Sequence, residues 1–138
     1  MKKCLFFASL TALFLMTSCG PNPEKSRLFL DKGIDYLYTS QFDESIVYFE
    51  KAIKYDENNY EAYFYLGCAY SNNFNNAKAL ENWNKATQIK PDYPDPYFNI
   101  GLYYRMIKDM SMACYYFKLA EKYGRPNMED YVKFCDYF

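Results

Sequence analysis

The stretch FYLGCAY, residues 64–70, places a glycine in the middle of a segment that otherwise has the composition of an apolar helix. Glycine inside a helix costs about 1 kcal/mol relative to alanine, so Gly67 requires a compensating reason. The same feature recurs in KGIDY, which holds Gly33, and in IGLYY, which holds Gly101, so the three glycines are 34 residues apart. The chain therefore contains an internal repeat.

Four further columns of residues, each column being one position in the three copies, keep this spacing. A tyrosine follows each glycine by three positions, a small residue by twelve, an aromatic residue by sixteen and an alanine by nineteen. The members are Tyr36, Tyr70 and Tyr104; Ser45, Ala79 and Ala113; Phe49, Trp83 and Phe117; and Ala52, Ala86 and Ala120. A glycine that faces a partner helix lets two helices lie close, while bulky neighbours fill the space on either side. The columns therefore predict stacked helical hairpins.

The pattern is similar to the tetratricopeptide repeat, a helical hairpin of 34 residues that stacks on copies of itself. The second copy matches most fully, with Tyr63, Leu66, Gly67, Tyr70, Ala79, Trp83, Ala86 and Pro91. The third copy has Arg125 in place of the closing proline. The first is looser, with Lys32 before its glycine, Ser45 in place of alanine and Glu57 in place of proline.

The resemblance implies an all-α fold, an α-solenoid of three repeats followed by a C-terminal capping helix. The repeats are expected over residues 26–59, 60–93 and 94–127, and the capping helix over 128–138. Within the repeats we expect helices at 26–39, 43–55, 60–72, 77–89, 95–107 and 111–123.

Turn-forming residues separate these predicted helices. Asp95 followed by Pro96 predicts the start of the fifth helix. Gly124 is expected to end the sixth helix in a left-handed conformation, and Asn127 to cap the next one. The apolar face of that last helix is predicted to hold Tyr131, Phe134, Cys135 and Phe138.

The first residues differ in composition from the repeats. Lys2 and Lys3 precede a twelve-residue apolar stretch, which is too short to span a bilayer and is typical of a signal peptide. The MTSC sequence that ends at Cys19 resembles a bacterial lipobox, which implies a signal peptide over 1–18, lipidation of Cys19, and a polar linker completing 19–25. An ordinary secreted protein cut nearby is the alternative. Gly20 after the cysteine favours a lipid-anchored location in the bacterial cell envelope, at the outer membrane facing the periplasm.

Composition excludes several function classes. The chain of 138 residues has a formal net charge of −1 and no histidine, and it has no basic run, glycine-rich phosphate loop or G-x-S-x-G elbow. We therefore predict no enzyme, catalytic residue, cofactor, metal, nucleic-acid or small-molecule substrate. The cysteines at 68, 114 and 135 form no C-x-x-C pair and are expected as small buried hydrophobes. One disulfide, or a metal site of cysteines alone, is the alternative.

In the repeat family, the first helix of each pair lines the concave side of the solenoid. The resemblance therefore implies a partner-binding groove, the predicted groove below, formed by Arg27, Leu30, Ile34, Tyr38, Phe64, Cys68, Asn72, Phe98, Leu102 and Arg105. An apolar stripe of this kind suits an amphipathic helix or an extended segment. Leu30 and Ile34 occupy the places of a lysine and an asparagine that hold acidic chaperone tails in some relatives, so such a clamp is not expected. Burial of the stripe between neighbouring helices is the alternative.

These observations predict a membrane-anchored adaptor that binds a partner protein or peptide in the predicted groove and reaches the membrane through its N-terminal lipid. Two alternatives remain at this point. One is a structural subunit of an envelope complex that self-associates as a homo-oligomer, and the other is a cytosolic secretion chaperone with an uncleaved N-terminus.

Overall fold

The structure, a computed structural model, describes residues 20–137, and every regular element in that range is helical. The elements are α1 (Pro23–Tyr38), α2 (Phe42–Tyr55), α3 (Tyr60–Asn72), α4 (Asn76–Ile89), α5 (Pro94–Met106), α6 (Met110–Lys122), α7 (Glu129–Phe134) and a final 3-10 turn (Cys135–Tyr137). The predicted signal peptide, Cys19 and Phe138 lie outside the described residues. None of the helices described has the length and apolar character needed to cross a membrane.

Consecutive helices pack in pairs joined by turns of three residues, so each pair is an antiparallel hairpin. Helices α1 and α2 form the first hairpin, α3 and α4 the second, and α5 and α6 the third. The hairpins stack because α3 also packs on α2, and α5 on α4. This arrangement confirms the all-α fold of stacked helix-turn-helix repeats.

The three turns inside the hairpins are built alike. Ser40, Phe74 and Lys108 each adopt a left-handed backbone conformation, with φ of 59°, 59° and 64°. In each case the next residue's N–H donates to the carbonyl of the tyrosine that follows the repeat glycine by three, at 2.8 to 2.9 Å. This pattern ends an α-helix by satisfying a carbonyl of its last turn. Gly124, with φ of 88°, ends α6 in the same way, as predicted.

Helices α2, α4 and α6 each begin one residue earlier than predicted, and the starts of α1, α5 and α7 differ in how they are capped. Helix α1 begins at Pro23, inside the expected linker, because the Asn22 side chain accepts from the Lys25 N–H at 2.9 Å and caps it. Helix α5 begins at Pro94 rather than after Asp95. Proline is tolerated at the first helical position because the N–H group that it lacks would have no partner within the helix. Asn127 does not cap α7. It has φ of 57°, and Met128 is the capping position.

The repeat glycines lie against the aromatic residues that follow them by sixteen positions. A Cβ atom added to Gly33 would lie 2.5 Å from the Phe49 ring, and one added to Gly67 would lie 2.5 Å from Trp83. The same construction at Gly101 gives 2.6 Å to Phe117. Each glycine therefore leaves the space that an aromatic side chain of the second helix fills, which explains its presence in an apolar helix.

Stacked aromatic pairs add to the packing of the first and third hairpins. The ring of Phe29 stacks on Tyr55 with centroids 5.4 Å apart, and Tyr97 stacks on Tyr123 at 5.3 Å. The equivalent position in the second hairpin is Ile89, so this hairpin lacks the pair. Aromatic pairs contribute about 0.5–1.5 kcal/mol each beyond their buried area, and the half-buried pairs here are expected towards the lower end of that range.

The C-terminal segment covers the end of the third hairpin. Tyr131 of α7 packs on Phe98 and Phe117 with ring centroids 5.0 Å away, and Met128 is buried beside them. Phe134 is 41% exposed, so the predicted apolar face is only partly buried. The short α7 therefore covers the aromatic side chains of α5 and α6.

A disulfide between Cys114 of α6 and Cys135 fixes this segment. The expectation that these two cysteines are free buried hydrophobes is therefore wrong. The reason is that the chain turns back after Gly124 and brings Cys135 over α6, a return that the 34-residue period does not specify. Cys68 is free, and the described residues contain no cluster of potential metal ligands.

Replacing Gly67 by alanine should destabilise the protein by about 1–2 kcal/mol. Alanine favours a helix by about 1 kcal/mol, but its Cβ would displace the Trp83 ring, and overpacking a core costs about 1–3 kcal/mol. The free energy of unfolding in urea, followed by circular dichroism, measures the change. Gly101→Ala should behave alike, and an increase in stability for either variant would contradict the packing role.

Replacing Cys114 and Cys135 together by alanine should lower the free energy of unfolding by about 3 kcal/mol, because the disulfide closes a loop with a sequence separation of 21. Amide hydrogen exchange in residues 129–137 should accelerate more than exchange in α3. Cys68→Ala is the matched control and should leave exchange in this segment unchanged. Equal exchange in the parent and the double variant would show that packing alone holds the segment.

Candidate functional site

One column of the predicted groove, made of Leu30, Phe64 and Phe98, is wholly or partly covered by neighbouring elements. Leu30 is only 1% exposed and belongs to the core cluster that contains Phe49 and Leu66, so its assignment to an open groove is wrong. The equivalent Phe64 is half-buried, with its ring 5.1 Å from Tyr65 and 5.3 Å from Tyr93. Burial between neighbouring helices, the alternative left open above, therefore holds for Leu30 and in part for Phe64.

Phe98, the third member of the column, is covered by the C-terminal segment. Tyr131 meets its ring edge-on, and the guanidinium carbon of Arg125 lies 3.9 Å from the ring centroid. Arg125 also pairs with the carboxylate of Asp95. Phe98 thus packs as a core residue, and its replacement by a charged residue would damage the fold as well as any binding surface.

The next column, made of Ile34, Cys68 and Leu102, is half-buried. The accessible part of the predicted groove lies beyond it, towards the C-terminal ends of α1, α3 and α5. Tyr38 is 81% exposed there, and Asn72 and Arg105 are also exposed. The surface open to a partner is therefore narrower than the sequence predicts.

Charges along the opposite end of these helices are paired. Arg27 forms ion pairs with Asp31 at 3.0 Å and with Glu61 at 3.1 Å. Glu61 and Asp95 occupy the position of Arg27 in the following repeats, so this row holds one cation followed by two anions. Arg105 is exposed and lies with its guanidinium carbon 5.4 Å from the ring centroid of Tyr131. This charge distribution is mixed and offers no basic surface.

A cavity of about 280 Å³ opens between α3, α4 and α5. Cys68, Asn72 and Leu102 of the predicted groove line it. The other lining residues, which the sequence analysis did not propose, are Ser71, Asn76, Trp83, Asn99, Tyr103 and Met106. The one sequence signal for this cavity is Trp83, which stands in a column where the other two copies have phenylalanine.

Amide and thiol groups form one wall of this cavity. Asn72 Nδ2 donates to the Cys68 carbonyl at 2.9 Å, and Asn99 Nδ2 donates to Cys68 Sγ at 3.4 Å. The indole N–H of Trp83 faces the same sulfur without the geometry of a regular hydrogen bond, and it has no other acceptor among the described residues. A sulfur atom is a weak acceptor, and a buried donor without a partner costs about 1–3 kcal/mol.

Burial raises the pKa of the Cys68 thiol to about 12, although the facing N–H groups of Trp83 and Asn99 act to lower it. The thiol is therefore neutral near pH 7 and is not poised as a nucleophile. Because the unfolded thiol ionises near pH 9, this group stabilises the fold fully below that pH, and the contribution is lost as the pH rises towards 12.

Stacked antiparallel hairpins with an accessible row of first helices define the class of α-solenoid repeat proteins. Within this class, the chain belongs to the tetratricopeptide repeat family. A TPR repeat model matches residues 75–106, and two tetratricopeptide repeat models match 48–81 and 26–59. The match at 75–106 pairs α4 with α5, and the match at 48–81 begins within α2 and ends within α4, since the period is the same at whichever residue it begins. The repeat is a scaffold, a non-catalytic fold.

Several solved structures share this architecture. The first TPR of Spaghetti (RPAP3), bound to the HSP90 peptide SRMEEVD, is 17% identical, with a TM-score of 0.78 over 86% of this chain and 96% of that one. The Sgt2 TPR domain from Aspergillus fumigatus is 20% identical, with a TM-score of 0.74 over 86% and 81%. MamA is 25% identical, with a TM-score of 0.69 over 74% and 60%. No curated protein sequence matches the chain significantly.

Alkylation of Cys68 by iodoacetamide at pH 8 should be about 1000-fold slower in the folded protein than in urea. The raised pKa lowers the thiolate fraction by about that factor, and burial further restricts access. Mass spectrometry of the peptide that carries Cys68 gives the rate. The folded rate should rise about tenfold per pH unit between pH 8 and 11. A folded rate equal to the rate in urea would show that the thiol is exposed.

Proposed function

We propose that the chain is a lipid-anchored adaptor of the bacterial cell envelope, which holds a segment of a partner polypeptide along the accessible ends of α1, α3 and α5. The observation that carries this proposal is the exposed row formed by Tyr38, Asn72 and Arg105, beside a cavity between α3 and α5. The structurally similar first TPR of Spaghetti holds a peptide, which supports peptide binding by this fold.

The charges on the first helix of each repeat disfavour an acidic partner segment. Leu30 is buried and Ile34 is apolar, so neither donates to a carboxylate, and Asp95 adds negative charge paired to Arg125. An acidic tail such as the HSP90 peptide would find two cations on this face, Arg27, which is paired with Asp31 and Glu61, and Arg105, which lies near the Tyr131 ring. We therefore propose a segment of low net charge as the partner.

The cysteine pairing supports a location outside the cytosol. Structural disulfides form and persist in oxidising compartments such as the bacterial periplasm and are rare in the cytosol. The bond between Cys114 and Cys135 joins the C-terminal segment to the repeats. This bond agrees with export directed by residues 1–18 and disfavours the cytosolic chaperone alternative.

Self-association is the second candidate, and exposed apolar side chains at the turn end of the hairpins favour it. Phe74 is 93% exposed, Tyr38 81%, Met106 57% and Ile107 50%. These residues lie in the turns between the two helices of each repeat or directly before them. A second copy of the chain that covers this row would account for their exposure.

A photo-crosslinking residue distinguishes the two candidates. We expect p-benzoylphenylalanine in place of Tyr38 to form adducts with one partner polypeptide in intact cells, because Tyr38 lies at the end of the accessible row. The same replacement at Tyr115, an exposed tyrosine of α6, is the matched control and should form none. Adducts with a second copy of the chain would favour the structural subunit. Equal adducts from both positions would contradict a defined binding face.

Thiol counting tests lipidation. A processed and lipidated protein should show one free thiol under denaturing, non-reducing conditions, from Cys68, and three after reduction, because Cys4 is removed and the Cys19 sulfur is a thioether. A secreted protein cut just before Cys19 would show two and four, and an unprocessed chain three and five. In addition, Cys19→Ser should abolish labelling by palmitate and release the protein from the membrane fraction. Membrane retention of this variant would contradict the anchor.

A further inference from the structure

The first hairpin has one face on which no other hairpin packs. In the second and third repeats the equivalent face packs on the hairpin before it, where Leu66 and Ile100 are 5% and 0% exposed. The first repeat has Lys32 at this position, and no described element precedes α1 to cover it. We call this surface of α1 and α2 the outer face. Its residues are Lys25, Phe29, Lys32, Tyr36, Tyr48, Lys51 and Tyr55.

Four aromatic rings form the apolar part of the outer face. Phe29 stacks on Tyr55 with ring centroids 5.4 Å apart, and Tyr36 stacks on Tyr48 at 5.1 Å. The rings of Phe29 and Tyr48 are 6.2 Å apart, which joins the two pairs into one strip. All four residues are half-buried, so part of the strip remains accessible. Tyrosine is enriched where an apolar layer meets water, as at the surface of a membrane.

Three lysines lie over these rings. The Nζ atom of Lys25 is 5.4 Å from the ring centroid of Tyr55, and those of Lys32 and Lys51 are 6.0 and 4.8 Å from the ring centroid of Tyr48. None of the three lysines forms an ion pair with a described residue. The same positions hold Asn59, Leu66 and Lys85 in the second repeat and Tyr93, Ile100 and Leu119 in the third. Three lysines therefore occur together only where no hairpin covers them.

Acidic residues lie at the two ends of the outer face. Towards the turn between α1 and α2, Asp35 lines a cavity with Tyr36, and Glu44 lies near the same tyrosine. The other end has Glu24, Asp56 and Glu57. A terminal repeat needs a polar outer surface for solubility, and either sign of charge would meet that need. A positive middle with accessible aromatic rings is instead typical of surfaces that bind anionic lipid.

The linker before α1 lies against the same hairpin. The Asn22 N–H donates to the Tyr55 carbonyl at 2.7 Å, and Gly20 and Pro21 line a cavity with Tyr55. Cys19, the proposed lipidation site, is three residues before Asn22, and three residues span at most about 11 Å. The acyl chains of the proposed lipoprotein would therefore enter the bilayer close to the outer face, whatever conformation the intervening residues adopt.

We propose that the outer face lies on a bilayer surface that contains anionic phospholipid, with its lysines at the lipid phosphates and its rings among the headgroups. The proposal rests on the proposed lipid anchor and adds the orientation of the domain. Lys25 and Tyr36 are about 17 Å apart along α1 at 1.5 Å per residue, so the first hairpin lies along the membrane. The second and third hairpins stack away from it, which leaves the row of Tyr38, Asn72 and Arg105 open to a partner polypeptide.

Lysine acetylation measures which side chains the bilayer covers. The processed protein is added to preformed vesicles of phosphatidylcholine, or of equal parts phosphatidylcholine and phosphatidylglycerol, and treated with N-hydroxysuccinimidyl acetate. We expect the three lysines of the outer face to react about fivefold more slowly on the anionic vesicles, by mass spectrometry, and the exposed Lys118 of α6 to react equally on both. Equal rates for the outer face on both vesicles would overturn the proposal. Protection that follows protein density instead of phosphatidylglycerol would assign the face to a second copy and would also overturn it.

A pair of double variants tests the lysines themselves. Lys25→Gln with Lys32→Gln should reduce the protection of Lys51 on anionic vesicles to less than about twofold, because fewer cations hold the face to the phosphates. Lys85→Gln with Lys118→Gln removes the same charge from exposed positions of α4 and α6 and should leave that protection unchanged. Equal effects of the two double variants would show that net charge decides, which contradicts a defined face.

Retention on the vesicles separates this proposal from the anchor. A protein that stays on neutral vesicles through a high-salt wash, while its outer face reacts freely on anionic ones, would refute the orientation and leave the anchor in place. A protein that washes off neutral vesicles would refute the anchor, and the orientation with it.

Discussion

The contact between each repeat glycine and the aromatic ring sixteen residues later sets the distance between the two helices of every hairpin. At Gly33, Gly67 and Gly101 a methyl group would overlap the facing ring, so the helices lie as close as their backbones and that ring permit. The alanines that follow by nineteen residues are fully buried, which extends the close contact by one turn. The helical cost of glycine, about 1 kcal/mol, is smaller than the stabilisation from burying a Phe or Trp side chain, about 1.5–3 kcal/mol or more. Because this geometry is the same in each hairpin, the hairpins stack without a break.

Stacking determines which side chains remain available to a partner. The position held by Leu30, Phe64 and Phe98 is covered in turn by the next hairpin or, at the end of the solenoid, by α7 and Arg125. A single repeat cannot bury this position by itself. The stacking of hairpins is therefore enough to explain the apolar stripe, which does not by itself indicate a binding site. The accessible surface begins two turns further along the same helices, where the side chains change from one repeat to the next. Binding specificity is therefore expected at variable positions, and stability at the regular ones.

The 34-residue period was sufficient to predict the helical hairpins and their order, because contacts within and between repeats recur at fixed separations. The turn-forming residues around Gly124 correctly predicted the end of α6. The period could not predict the bond between Cys114 and Cys135, since this bond joins the repeats to a segment outside the period. Nor could it predict the contact of Arg125 with Asp95 and Phe98, because Arg125 departs from the residue expected at that position. Leu30 was assigned to the groove for a related reason: one sequence column does not reveal which neighbour covers it. The repeat pattern therefore predicted the stacked hairpins. The C-terminal segment, which turns back over the third hairpin and covers part of the predicted groove, could not be predicted from that pattern.

Departures from the repeat pattern identify where this chain differs from a plain scaffold. Arg125, in place of the closing proline, provides the cation that lies over Phe98 and pairs with Asp95, so it completes the end of the solenoid. Trp83, in place of phenylalanine, adds a buried N–H beside Cys68 and Asn99 that packing does not need. The first departure forms an ion pair and an aromatic contact within the chain. The second places a buried N–H against the sulfur of Cys68, which is a weak acceptor, so this donor is only weakly paired. That difference distinguishes a substitution that completes the packing from one that packing does not explain.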